Sequence, residues 1–198
     1  MTTSTIGIAP RRVLADYAPS SLMANLILVV GGAGLVGLLA QISIPLGFTP
    51  VPITGQTLGV AIVGTALGWR RAVSSMTLYV AAGLVGMPWF AEHTSGYPSA
   101  TFGYLLGFVA ASFVLGLLAE RGNDRSLVSA LGSIFVGEVI IFAFGVTWLG
   151  NSLHVSAQTA IEYGLTPFVI GECLKLGFAG VGLPSAWRLV DRVTGRQK

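Results

Sequence analysis

Two charged residues three apart lie inside the last apolar stretch, Phe168-Val-Ile-Gly-Glu172-Cys-Leu-Lys175-Leu-Gly-Phe178. On a helix that spacing puts both side chains on one face. Counted from Pro167, they sit about 8 and 12 Å along the helix axis. An ionised side chain at that depth in hydrocarbon costs at least about 2–3 kcal/mol, and such residues commonly mark a pathway or a site. Two chemistries fit. The pair is either a structural ion pair holding its helix in a bundle, or an amphoteric site. In the second case the ammonium neutralises a ligand carboxylate, and the carboxylate accepts ligand N–H groups. Glu138 is a second carboxyl within an apolar segment, on a face with Ile134, Ile141 and Phe142. It reads as a proton-coupling group or as a partly protonated packing residue.

A proline-rich segment, Ile44-Pro-Leu-Gly-Phe-Thr-Pro-Val-Pro-Ile-Thr-Gly-Gln56, adds a third candidate. Proline fixes φ and removes donors, so the segment is expected to be a stiff extended loop, a lid or a wall. Gln56 supplies a donor and an acceptor at its end. No phosphate-binding G-x-x-x-x-G-K-[ST] loop, no H-E-x-x-H metal motif and no G-x-S-x-G nucleophile elbow occurs. ATP hydrolysis by that loop is excluded. Neither an enzyme activity, a cofactor nor a metal site is expected. Cys173 is a lone cysteine and reads as a small buried hydrophobe.

The elements that position these residues are membrane helices. The chain of 198 residues is 53% hydrophobic and 10% charged, with a mean hydropathy of +0.78, against about a quarter charged in soluble domains. Six apolar segments follow a tail over 1–20: Leu22–Ile44, Gln56–Gly68, Ala72–Met87, Phe102–Ala119, Leu127–Leu149 and Pro167–Leu189. Thr166 is expected to cap the last, with Pro167 in its first turn. The second and third segments are short for a bilayer and call for tilt or local thinning. The expected fold is an all-α bundle of six transmembrane helices over 21–190, with a C-terminal tail over 191–198.

Charge sets the orientation. Arg11 and Arg12, Arg70 and Arg71, Arg121 and Arg125, and Arg188, Arg192, Arg196 and Lys198 fall in every second connection or tail. The positive-inside rule then places both termini in the cytoplasm, in a multi-pass protein of the bacterial cytoplasmic membrane. Ten of the eleven cations obey; Lys175 is the exception. His93 and His154 fall in outer loops, Trp89 and Trp148 near the outer boundary, and Trp69 and Trp187 near the inner one. For Trp89 a place in a binding pocket is the alternative. A net charge of only +3, without a basic run, excludes a nucleic-acid partner. Small residues recur at spacing four, at Ala33 and Gly37 and at Gly103, Gly107 and Ala111. Such ridges pack helices closely, or at Ala33 and Gly37 dock another membrane subunit.

Several segments together resemble the BioY biotin transporters, substrate-binding S-components of energy-coupling-factor (ECF) transporters. They are Gln41-Ile-Ser-Ile-Pro45, Pro50-Val-Pro-Ile-Thr-Gly-Gln-Thr-Leu58, Gly68-Trp-Arg-Arg71, Tyr79, Gly86-Met-Pro-Trp-Phe90, Gly103-Tyr-Leu-Leu-Gly-Phe108 and Gly171-Glu-Cys-Leu-Lys175. The resemblance runs from about Leu26 to Leu189. It implies a six-helix protein that captures biotin from outside, working with a transmembrane coupling subunit and two cytoplasmic ATPase subunits. Ala33 and Gly37 are then the implied docking residues. The family's Gly-Asp-x-x-Lys motif corresponds to Gly171, Glu172 and Lys175, with Glu in place of Asp. The family's Pro-Thr-Gly-Gly-Tyr is altered to Ala100-Thr-Phe-Gly-Tyr104. Biotin's carboxylate would suit Lys175, its ureido ring Glu172 and Gln56, and its apolar rings Phe90, Trp89 and Tyr104. A stand-alone secondary transporter, with Glu138 titrating, is the other reading.

Overall fold

The computed structural model describes residues 12–193, which fold into a helical bundle with one small hairpin. In chain order the elements are α1 (Leu22–Ala40), β1 (Ser43–Ile44), β2 (Ile53–Thr54), α2 (Gln56–Leu67), α3 (Trp69–Leu84), α4 (Phe102–Glu120), α5 (Leu127–Leu153), α6 (Ala157–Gly164) and α7 (Val169–Val193). Four stretches of helix are long and apolar enough to cross a membrane, within α1, α4, α5 and the α6–α7 region. The helix α2, at 12 residues, reaches only about 18 Å. The expected shortness of the second and third segments is therefore real, at 12 and 16 residues of helix, and the hairpin leads directly into α2.

Serines start three of the helices. Ser21, Ser126 and Ser156 accept hydrogen bonds from the amides of Ala24, Ser129 and Thr159, satisfying donors that a helix start leaves unpaired. Between α2 and α3 the chain turns at one residue, Gly68, with φ of +76°. A side chain is disfavoured there, and Glu120 Oε1 accepts the Trp69 amide at 3.2 Å. The Thr166 cap does not form. Pro167 lies in a 3₁₀ turn over Thr166–Phe168, and the Thr166 hydroxyl donates back to the Ile161 carbonyl. The cause is α6, a short helix that the sequence reading missed because it is too short and polar to register as a span.

The central helix is α4, packed on α2, α3 and α5. Its small residues make this possible. A Cβ on Gly103 would lie 2.2 Å from Trp148 Cβ, and one on Gly107 would lie 2.9 Å from Ile141 Cα. The Gly103–Gly107–Ala111 ridge is internal packing, as expected. Ala33 and Gly37, the residues expected to dock a partner, are also internal in this chain. Ala33 is 0% exposed, and the Trp89 ring covers Gly37 at 3.1 Å from a notional Cβ. On the outside of α1 stand Leu22, Met23, Leu26, Ile27, Val30 and Leu38.

Other expectations shift in the same way. The N-terminal segment is not a free tail throughout: Val13 and Ala15 are buried against Ala119, Leu28 and Leu67. Arg11, and Thr194 to Lys198 of the C-terminal tail, lie outside the described residues. Trp187 is buried beside the α4–α5 connection, donating from Nε1 to Asp124 Oδ2 at 2.5 Å. Burial pushes the Asp124 carboxyl up from the ordinary aspartate range, against the pull of Trp187 and Arg125. Cys173 is exposed on α7 rather than buried.

The connections sort by charge in space as they do in sequence. Arg12, Arg70 and Arg71 surround one concavity, and Arg125 donates to the Arg12 carbonyl. The opposite end gathers the hairpin, the Phe90–Thr101 connection and α6, with the Thr49 hydroxyl donating to the Tyr163 carbonyl.

Candidate functional site

A cavity opens among the connections that carry no Lys or Arg, bounded by the hairpin, α2, the Phe90–Thr101 connection, α4, α5 and the start of α7. It holds about 640 Å³ of empty space, its open mouth included. Five aromatic side chains line it: Phe90, Tyr104, Phe108, Phe142 and Phe168. The polar groups facing it include Thr54, Gln56, Thr57, Thr94, Thr101 and Glu172. Apolar walls with a few convergent polar groups are the ordinary form of a small-molecule site.

The proline-rich segment is not only an extended loop. Ser43 pairs with Thr54 and Ile44 with Ile53 in an antiparallel hairpin, and this fixes the Thr54 carbonyl against α7. Lys175 Nζ donates to that carbonyl at 2.6 Å, to Thr57 Oγ1 at 3.0 Å and to Glu172 Oε1 at 2.7 Å. The Thr57 hydroxyl in turn donates to Glu172 Oε2 at 2.8 Å. An ammonium has three N–H donors, so Lys175 is saturated. The Lys175 and Glu172 side chains are 15% and 12% exposed. At such burial an ion pair holds only with its remaining valences satisfied, and the two threonine groups do that.

This arrangement changes the expected roles. Glu172 faces the cavity; Lys175 stands behind it and does not line the wall. Gln56 does line it, and its amide is held on both sides. Nε2 donates to Tyr79 Oη at 2.8 Å, and Oε1 accepts the Thr54 hydroxyl at 2.8 Å. Tyr104 presents its ring, since its hydroxyl is spent on the Gly164 carbonyl at 2.7 Å. Phe90 packs on Gly83, where a Cβ would come within 2.2 Å of the Phe90 ring, and edge-on to Tyr79 at 5.4 Å. Trp89 is placed elsewhere. Its ring lies against Tyr79 and Gly37, and its Nε1 donates to the Tyr79 carbonyl.

Sequence reasoning missed several groups of the site. Thr54 and Thr57 link the hairpin to the ion pair, but threonines near a helix start carry no signal of their own. Gln41 organises the connection that holds Phe90. Its Nε2 donates to the Gly37, Trp89 and Phe90 carbonyls, and its Oε1 accepts the His93 amide. The clamp holds a strained turn, with φ of +59° at Glu92 and +56° at His93, a region that disfavours side chains. Glu138 lies outside the main cavity. It is buried, its Oε2 has no partner among the described residues, and it lines a separate apolar cavity between α5 and α7 that Glu172 also borders.

Membrane-length helices around a cavity lined by aromatic and polar side chains fit a multi-pass membrane protein that takes up a small molecule. Residues 11–192 match the BioY family. The chain is 33% identical over 154 residues to a "Biotin transporter BioY2" of Lactococcus lactis, covering 76% of this chain and 83% of that protein. It is 38% identical over 145 residues to a "Biotin transporter BioY" of Thermotoga maritima, covering 72% and 83%. Its fold is similar to the crystal structure of an "S-component for biotin from an ECF-type ABC transporter", with a TM-score of 0.76 at 22% identity over 84% of this chain and 92% of that one. The chain belongs to the BioY family.

Proposed function

We propose that this chain captures biotin in the cavity at the end opposite its arginine-rich connections and delivers it across the membrane. The observation that supports this most is Glu172, a carboxylate locked by Lys175 and Thr57 and turned toward five aromatic walls. Biotin offers a matching pattern. Its ureido N–H groups are donors for Glu172, its ureido oxygen is an acceptor for the second Gln56 N–H, and its fused rings and alkyl chain suit the aromatic lining. In this reading Lys175 acts through Glu172: it holds the carboxylate in position and aimed, in place of meeting the ligand carboxylate itself. The names of the relatives point to the same ligand.

The same resemblance supports an ECF assembly, in which a transmembrane coupling subunit and two cytoplasmic ATPase subunits drive delivery. The coupling subunit would meet the exposed side of α1, not the buried Ala33–Gly37 ridge. A second reading has one observation in its favour. Glu138 is a buried carboxyl bordering the same α5–α7 space as Glu172, which suits transport by the chain alone coupled to protons.

Equilibrium binding of labelled biotin to the purified chain tests the first proposal, with thiamine as competitor. Saturable binding that excess unlabelled biotin displaces and thiamine does not is expected; absence of saturable binding by folded protein refutes it. Uptake into vesicles lacking any ATPase, under an imposed proton gradient, separates the two delivery mechanisms.

A further inference from the structure

At the end opposite the cavity, the Val13–Tyr17 turn, the foot of α1 and the start of α3 enclose a polar concavity. Three guanidinium groups line it, those of Arg12, Arg70 and Arg71, against two carboxylates, Asp16 and Glu120. Both acids are engaged within the chain. Asp16 Oδ1 accepts from Arg71 Nη1 at 2.8 Å, and its Oδ2 accepts the Val13 amide at 3.1 Å. Glu120 Oε1 accepts the Trp69 amide. Arg71 is held as well, donating from Nε to Asn25 Oδ1 at 2.8 Å.

Arg12 and Arg70 remain. Both are exposed at the rim, and neither pairs with a carboxylate among the described residues. The Arg70 guanidinium lies 5.2 Å over the Trp69 ring, a contact that orients it without neutralising it. The neighbouring Arg125 differs: it is spent on the Arg12 carbonyl and the Trp187 ring. The concavity therefore carries one uncompensated positive charge, and its floor is apolar where Val13 and Leu67 border it.

We infer that this concavity binds the phosphate of an anionic membrane lipid, held by Arg12 and Arg70, with Trp69, Val13 and Leu67 against its glycerol and upper acyl chain. Planar guanidinium forks match phosphate oxygens in geometry and charge. Basic pockets at the cytoplasmic boundary of membrane helices take anionic head groups for the same reason. The apolar floor favours a lipid over free phosphate, which has nothing to place there. The Arg71–Asp16–Asn25 bonds keep the pocket in shape whether or not it is filled.

Native mass spectrometry of the purified full chain, with phosphatidylglycerol and phosphatidylcholine of equal chain length, tests this. Wild type is expected to retain phosphatidylglycerol about tenfold over phosphatidylcholine. The R12Q/R70Q variant is expected to lose that preference, while R188Q/R192Q, with the same loss of charge elsewhere, keeps it. R12K/R70K retains the charge and should stay above R12Q/R70Q, so a folding defect of the glutamine variant is not mistaken for the effect. No preference in wild type, or an equal loss in both glutamine variants, overturns the inference. So does displacement of the lipid by inorganic phosphate at about tenfold excess, since the site would then take free phosphate. The biotin reading plays no part in this outcome.

Discussion

Replacing Lys175 with methionine removes the ammonium and keeps most of the stem. Glu172 then stands at the cavity wall with the Thr57 hydroxyl at 2.8 Å and without its neutralising partner. The two side chains are 15% and 12% exposed, so bulk solvent replaces little of what is lost. Breaking a buried ion pair by removing one partner costs about 3–5 kcal/mol. Glu172 keeps Thr57 and borders an open cavity, which places the loss in binding at or below the lower end of that range, about 2–3 kcal/mol. That corresponds to a weakening of biotin affinity by about 30- to 150-fold. Isothermal titration at fixed pH and ionic strength reads it, with His154→Ala as a control, since His154 ends α5 and does not line the cavity. The K175M/E172Q double variant removes the stranded charge; it should regain thermal stability over K175M without regaining affinity. A K175M affinity within about threefold of wild type would show that Lys175 does not organise the site. So would a double variant that binds like wild type.

Three further outcomes follow from the same structure. Gln41→Ala removes three hydrogen bonds to the Trp89–His93 turn; affinity should fall about tenfold and hydrogen exchange of that turn should rise, whereas unchanged exchange would deny the clamp. Gly116→Ala puts a Cβ 2.2 Å from the Trp69 amide nitrogen, an atom of backbone that has no room to yield. A loss of about 3 kcal/mol or more is expected, seen as loss of folded protein in fluorescence-detected chromatography, and wild-type yield and melting would contradict it. Asp124 is an acid whose carboxyl is raised by burial, so the folded state binds the proton more tightly than the unfolded one. Its contribution to stability is therefore present at low pH and is lost as pH rises above about 4. Asp124→Asn should flatten that part of the melting-temperature profile while keeping an acceptor for Trp187, and parallel profiles would refute the assignment.

Much of this was legible in the sequence, and the limits have physical causes. The Glu172–Lys175 pair announced itself because charge in hydrocarbon is expensive, and the arginine alternation fixed the topology because membranes sort charge. Glycine and alanine ridges showed that helices pack closely but not which neighbour they meet. Ala33 and Gly37 read either as a packing ridge or as a docking face, and only the fold shows Ala33 buried and Trp89 covering Gly37. The position of Lys175 behind Glu172 was not legible for a related reason. Spacing puts two residues on one face without saying which stands in front, and the Thr54 carbonyl that draws Lys175 back comes from a hairpin far away in sequence. Thr57, Gln41 and α6 carried no hydrophobic or charge signal, although Gln41 and Thr57 fall within the segments that resemble the family.

A structure of the chain with biotin bound tests the central claim most directly. The account predicts ligand density in the cavity among Phe90, Tyr104, Phe142 and Phe168, with the ureido nitrogens at hydrogen-bonding distance from Glu172 and Lys175 still bonded to Thr54 and Thr57. Density in the apolar space between α5 and α7, or a ligand carboxylate on Lys175 with Glu172 turned away, would contradict it.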